Sequence, residues 1–185
     1  MEQNQLKKPS LNRADKLSSA LSDNAEKIGN FAVSFIKKHW LAILNLLFFA
    51  YVFGATLSPI LIYLGYPKTG KILFYSYYFF CHQNPSHSFI LLGHPVSICA
   101  RCLSIYSSIF FFGLLFGFFF KLKKIIRINL TLGIILSLPL ILDLLTQFLG
   151  LRESNNLLRT ATGILFGGTI VFYLYPQVKF LKKSY

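Results

Sequence analysis

Four long apolar stretches alternate with short polar and basic ones along this chain. Residues 41–64, 99–120, 128–149 and 157–176 are each close to the ~20 helical residues that cross a hydrocarbon core about 30 Å thick, so each predicts a spanning helix. Asn45 and Pro59 interrupt the first near its two ends. Trp40, directly after Lys37-Lys38-His39, reads as an interfacial anchor. The second stretch finishes in FFFGLLFGFFF, and the third carries Pro139 and Asp143. Residues 72–98 break the pattern. FYSYYFF and SFILLG are apolar, but Cys-His-Gln-Asn-Pro lies between them and neither half is long enough to span. They predict a short aromatic helix followed by an irregular or re-entrant segment packed against protein, because irregular backbone is not tolerated against lipid. A fifth span through 72–92 is the alternative. Ahead of the first span, Leu17, Leu21, Ala25, Ile28, Ala32 and Phe35 recur at spacings of three and four. That spacing predicts an amphipathic helix whose Lys16, Lys27, Lys37 and Lys38 face anionic lipid headgroups; a solvated tail is the plain alternative. The polar lead is too long, and lacks the small-residue cleavage pattern, for a cleaved signal peptide.

Composition agrees with the pattern. Of 185 residues, 54% are hydrophobic and only 14% charged, against about 25% in soluble domains. The expected fold class is an all-α, polytopic helical membrane protein. It would have about four transmembrane helices and a re-entrant or irregular Cys/His loop. The net charge of +13 is not arranged for nucleic acid, because the basic residues sit in clusters at the ends of apolar runs. Of 19 Lys and Arg, seven precede the first span, four follow the second and three follow the fourth. This bias places both termini in the cytoplasm, across a cytoplasmic (inner) membrane. The organisation is then a basic arm over 1–38, a four-span domain over 39–178 and a basic tail over 179–185. Nothing in the sequence sets an oligomeric state.

The chemistry is concentrated in one stretch, Cys81–Cys102, which holds all three cysteines and three of the four histidines. Cys99-Ala-Arg-Cys102 is a CxxC, and such a pair lets two sulfurs reach one ion. Cys81 with a histidine, His82 first and His87 or His94 as substitutes, completes a tetrahedral set, and Cys/His ligation points to zinc. The competing functional reading is a thiol–disulfide redox pair at Cys99 and Cys102. The bland one is small apolar filler with loop histidines bonded to backbone. Three thiols cannot all pair within one monomer.

A second constellation comprises Asp143, Gln147, Arg152, Glu153, Asn155, Asn156 and Arg159. Asp143 and Gln147 share a helix face. A carboxylate in a spanning helix is normally paired or functional, and Arg152 or Arg159 is the expected partner. The structural reading is an Asp–Arg pair that pins the third and fourth spans. The functional reading is a polar pocket under the outer headgroups. There Arg152, Arg159, Asn156 and Gln147 bind phosphate or carboxylate, and Asp143 or Glu153 accepts a proton. Gly113-Leu-Leu-Phe-Gly117 and Gly163-Ile-Leu-Phe-Gly167 are both GxxxG and predict close packing of the second and fourth spans.

These residues together resemble a family of small prokaryotic membrane proteins classed as a domain of unknown function. The resemblance rests on Cys81-His82-Gln83, Pro85, Ser88-Phe89, Cys99-Ala100-Arg101-Cys102, Tyr106, Asp143, Thr146-Gln147, Gly150, Arg152, Ser154, Asn156, Arg159 and Thr162-Gly163. It covers roughly residues 75–170, and the combined motif is far more specific than any piece. His87 stands where the family pattern has arginine, and Ser104 where glycine is usual. The resemblance implies a membrane location and a shared site, with no established activity. The expected function is a zinc-binding membrane protein whose extracytoplasmic site acts on a lipid or phosphorylated headgroup. The alternatives are the redox protein, and a small transporter or structural subunit. Transport is disfavoured because the second and fourth spans carry almost no polar residues through the bilayer depth.

Overall fold

The computed structural model describes residues 13–123 and 126–183, with side chains over 21–123 and 126–178. The first twelve residues of the expected arm, Lys124, and Ser184-Tyr185 of the tail lie outside the described residues. So do the side chains of Lys16 and Leu17. Five α-helices are present in that range: α1 (Arg13–Tyr63), α2 (Pro67–Ser76), α3 (Ala100–Lys121), α4 (Leu130–Phe148) and α5 (Asn156–Lys183). Between α2 and α3 run two single-turn 3-10 helices and a minimal hairpin of β1 (Ile90–Leu91) and β2 (His94–Pro95), paired antiparallel. Among the described residues four helices are long and apolar enough to cross a membrane: Leu21–Tyr63, Ala100–Lys121, Leu130–Phe148 and Asn156–Val178. The protein is therefore an all-α polytopic membrane protein. Residues 72–92 do not make a fifth span, since α2 has only ten residues and the chain after it is irregular.

The chain divides into two units, Met1–Ile43 and Leu44–Tyr185. In the first, Ile28, Phe31 and Phe35 are exposed. Phe31 stacks on Phe35 with ring centroids 6.4 Å apart.

The second unit holds the polar site. Its outer surface is apolar: Phe111, Leu114, Phe118, Ile134, Leu142 and Leu145 are exposed. Its interior is rich in small hydroxyl residues, with Ser58, Ser104, Ser108, Thr162 and Thr169 buried, so the second and fourth spans carry more polar side chains than expected. Lipid replaces water as the outer solvent, so helices associate through close packing and hydroxyl hydrogen bonds rather than an oily core. Helices α3 and α5 pack most extensively. A Cβ on Gly163 would lie 3.0 Å from the Arg101 carbonyl, and one on Gly167 would lie 2.8 Å from that of Ile105. The expected pairing of the second and fourth spans is present, with a different partner surface. The α5 glycines meet Ser104 and Ser108, while Gly113 faces the side chain of Asn45 on α1. Serine serves as well as glycine here because its hydroxyl folds back on its own helix. Ser104 Oγ donates to Arg101 O and Ser108 Oγ to Ile105 O, both at 2.9 Å.

Helix ends bring the site together. α4 stops at a left-handed Gly150 (φ 66°), where Gly150 N–H donates to Gln147 O and Leu151 N–H to Thr146 O. That is the Schellman arrangement, which a residue with a Cβ adopts only under strain. Five residues later Asn155 Oδ1 accepts from Leu158 N–H at 2.8 Å and opens α5. The turn sets the C-terminal end of α4 beside the N-terminal end of α5. Since α3 packs along α5, its N-terminus joins them.

Candidate functional site

The loop before α3 is fastened from within. Gln83 is buried, at φ 49°, and its amide donates to Phe74 O at 2.5 Å and Ser97 O at 2.9 Å. Asn84 caps the turn Pro85–His87 by accepting from Ser86 N–H. Ser97 N–H donates to Ala55 O on α1, and Tyr77 Oη to Tyr51 O. These bonds fold the segment back so that Cys81 returns to the start of α3, eighteen residues further on.

There the sulfurs of Cys81, Cys99 and Cys102 lie within 4.8 Å of one another. All three cysteines are free thiols. Sulfurs sharing one zinc at about 2.3 Å each would stand roughly 3.8 Å apart, so the spacing suits a single ion. Cys99 is the N-cap of α3, and its sulfur accepts from Cys102 N–H at 3.5 Å. Cys81 Sγ accepts from Cys99 N–H at 3.1 Å. Backbone N–H groups and the positive end of a helix both favour thiolate over thiol. Hydrogen bonds from the Cys102 and Cys99 side chains hold the Cys81 thiol well below its ordinary range, against the upward push of burial. Tyr51 and Leu103 pack against the same buried core as the cysteines.

His82 does not join the sulfurs as a fourth ligand within that spacing. Instead it lines a cavity of about 380 Å³ that adjoins them, together with Cys99, Arg101 and Arg159. Asn84, His87, Leu144, Gln147 and Phe148 complete the walls. That volume falls in the range of small-molecule sites. Burial and the neighbouring Arg159 push His87 below the usual histidine range.

The second constellation meets the first at Arg101. Asp143 is buried, with Arg101 Nη2 on one carboxylate oxygen and Arg152 Nη2 on the other, the latter at 2.9 Å. Arg101 Nη2 also donates to Gln147 Oε1 at 3.1 Å. Asp143 thus pairs with Arg152, one of the two partners expected, and with Arg101, which was not expected. Arg159 has no carboxylate within ion-pair distance among the described residues. Arg101, the third residue of the CxxC, escaped the sequence reading because it lies 42 residues from Asp143 and nothing local marks the contact. Glu153 is exposed and lines no part of the cavity. Asn156 links α5 to the loop through Ser88 O at 3.5 Å.

Fold and site define a four-span membrane protein with a three-thiol cluster beside an arginine-lined cavity. The chain belongs to the family described as "Predicted membrane protein (DUF2085)", whose pattern matches residues 81–173, from Cys81 through most of α5. It is 37% identical over 146 residues to an uncharacterised protein of Methanocaldococcus jannaschii, covering 76% of this chain and 93% of that one. It is 36% identical over 89 residues to an uncharacterised protein of Methanothermobacter thermautotrophicus, covering 48% of this chain and 78% of the other. No solved structure matches the chain.

Proposed function

We propose that this protein holds a zinc ion on Cys81, Cys99 and Cys102 at the extracytoplasmic face of the cytoplasmic membrane. The adjoining cavity takes a lipid or phosphorylated headgroup. The observation that carries the reading is the convergence of three thiols from two chain segments within 4.8 Å, two of them accepting backbone N–H bonds. The fourth coordination position has two sources: His82 by movement of an exposed side chain, or an oxygen from the cavity. Three protein ligands with an open position are the pattern of a zinc that does chemistry, and the ion would supply Lewis acidity there.

The chain's own residues have clearer roles. Asp143 holds Arg101 and Arg152 in place, so it positions arginines rather than accepting protons. Glu153, exposed outside the cavity, is a weaker candidate for proton transfer than the sequence suggested. A CxxC opening a helix also supports the thiol–disulfide reading. The third sulfur favours metal, because a redox pair needs only two. The orientation with both termini cytoplasmic rests on the distribution of Lys and Arg. The Lys residues of α1 would meet anionic headgroups on that side.

Full-length protein purified without chelator should contain close to one zinc per chain by elemental analysis. Cys81→Ser and Cys99→Ser should each remove most of it. Metal-free wild-type protein with a Cys99–Cys102 disulfide in its mass spectrum would reject the zinc site in favour of redox chemistry.

A further inference from the structure

Arg159 is a buried cation with no carboxylate partner among the described residues. It is 1% exposed, in the first turn of α5, and lines the cavity. Its Nε and Nη2 have no hydrogen-bond partner, and Nη1 has only Asn156 Oδ1 at 3.5 Å. Nε and Nη2 form one edge of the guanidinium plane, the edge that takes two oxygens of an oxyanion side by side. A buried cation left this way is unfavourable, and its place worsens matters. The N-terminal end of a helix carries partial positive charge and favours anions. The other two arginines nearby do not share the predicament, since Arg101 and Arg152 both hold Asp143. Arg101, also in the first turn of its helix, leaves its own Nε unpartnered as it lines the same cavity.

We propose that the cavity binds an oxyanion of the phosphate class, seated on the Nε–Nη2 edge of Arg159 with Arg101 Nε alongside. It rests on reading this cavity as the working site, and it names the group that the site recognises. Leu144 and the 88%-exposed Phe148, in the last turns of α4, line the same cavity. An alkyl chain leaving the phosphate would run along them into the bilayer, which favours a lipid phosphate over a free one.

The test uses the full chain in detergent, with binding followed by native mass spectrometry and by thermal stabilisation. The probes are dioleoyl phosphatidic acid, dioleoylglycerol and inorganic phosphate. Phosphatidic acid should bind at least tenfold more tightly than dioleoylglycerol, and Arg159→Gln should abolish that difference. His87→Glu, on the short turn outside the spans, places a carboxylate in the cavity and should weaken phosphatidic acid at least tenfold. It decides the matter if Arg159→Gln does not fold. Equal, Arg159-dependent binding of inorganic phosphate would support the site and assign its ligand to the aqueous phase. Phosphatidic acid binding that is unchanged in Arg159→Gln, or in His87→Glu where that variant decides, would overturn the inference. So would no preference for phosphate by wild-type protein. Zinc content measured on the same samples separates the two readings. Arg159-dependent binding in chelator-treated protein would leave the anion site standing without the metal. A zinc-loaded protein indifferent to Arg159 would reject the anion site alone.

Discussion

Asp143 shows what one carboxylate does when lipid surrounds it. Its side chain is 1% exposed, and both of its oxygens face arginines that come from different parts of the chain. Breaking a buried pair by removing one partner leaves uncompensated charge, at a cost of about 3–5 kcal/mol. Asp143→Asn strands two guanidinium groups together and is expected to lower unfolding stability in detergent by that order. Arg152→Gln should cost within about 1 kcal/mol, since its side chain is 50% exposed and screened. Equal losses for the two would show that Arg101 is not the dominant partner. The need of Asp143 for a cation was legible from the sequence. Which cation was not, because Arg101 is 42 residues away and nothing local marks the contact.

At the scale of the helices, apolar run length gave neither the continuation of α1 back to Arg13 nor that of α5 to Lys183, and came closer elsewhere. The expected spans differ from the observed ones by a residue or two in α3, α4 and the start of α5, and both breaks rest on residues visible in the chain. Gly150 ends α4, and Cys99 opens α3. The partner faces were less legible. A GxxxG pattern states that a helix has a flat face and leaves open which small residues it meets. Gly167→Val is expected to force α5 off α3, because the new side chain would start 2.8 Å from the Ile105 carbonyl. Overpacking of this kind costs about 1–3 kcal/mol and should appear as a lower unfolding midpoint. Gly29→Ala, where a Cβ meets nothing within 4 Å, should be neutral or stabilise helix α1 by up to about 1 kcal/mol. The opposite ranking in a thermal unfolding series would show that α3 and α5 are not held by this contact.

For the whole molecule the open quantity is orientation. The proposed cytoplasmic placement of Lys121–Arg127 and both termini rests on the distribution of Lys and Arg alone. Reporter fusions after Lys123 and after Tyr185 should both read as cytoplasmic, and one after Glu153 as extracytoplasmic. An external signal after Lys123 would reverse the bundle and put the thiol cluster in the cytoplasm. Thiols there stay reduced, and the case for a disulfide would weaken further.

The sequence by itself determined the class of protein and the inventory of its site. Span length, aromatic content and clustered basic residues are local properties, and a bilayer reads them one helix at a time. The gathering of all three thiols and three of the four imidazoles in Cys81–Cys102, and the second polar constellation over Asp143–Arg159, were equally plain. Only the tertiary structure decided how these were shared out. It gave Asp143 to Arg101, grouped the three sulfurs without His82, and left Arg159 buried with an open edge beside them. Those outcomes depend on the distance between helix ends, which is set where α3 and α5 touch. The Gly163/Gly167 face of that contact was legible as a GxxxG pattern, but Ser104 and Ser108, the α3 residues it meets, carry no mark of their partner in the chain.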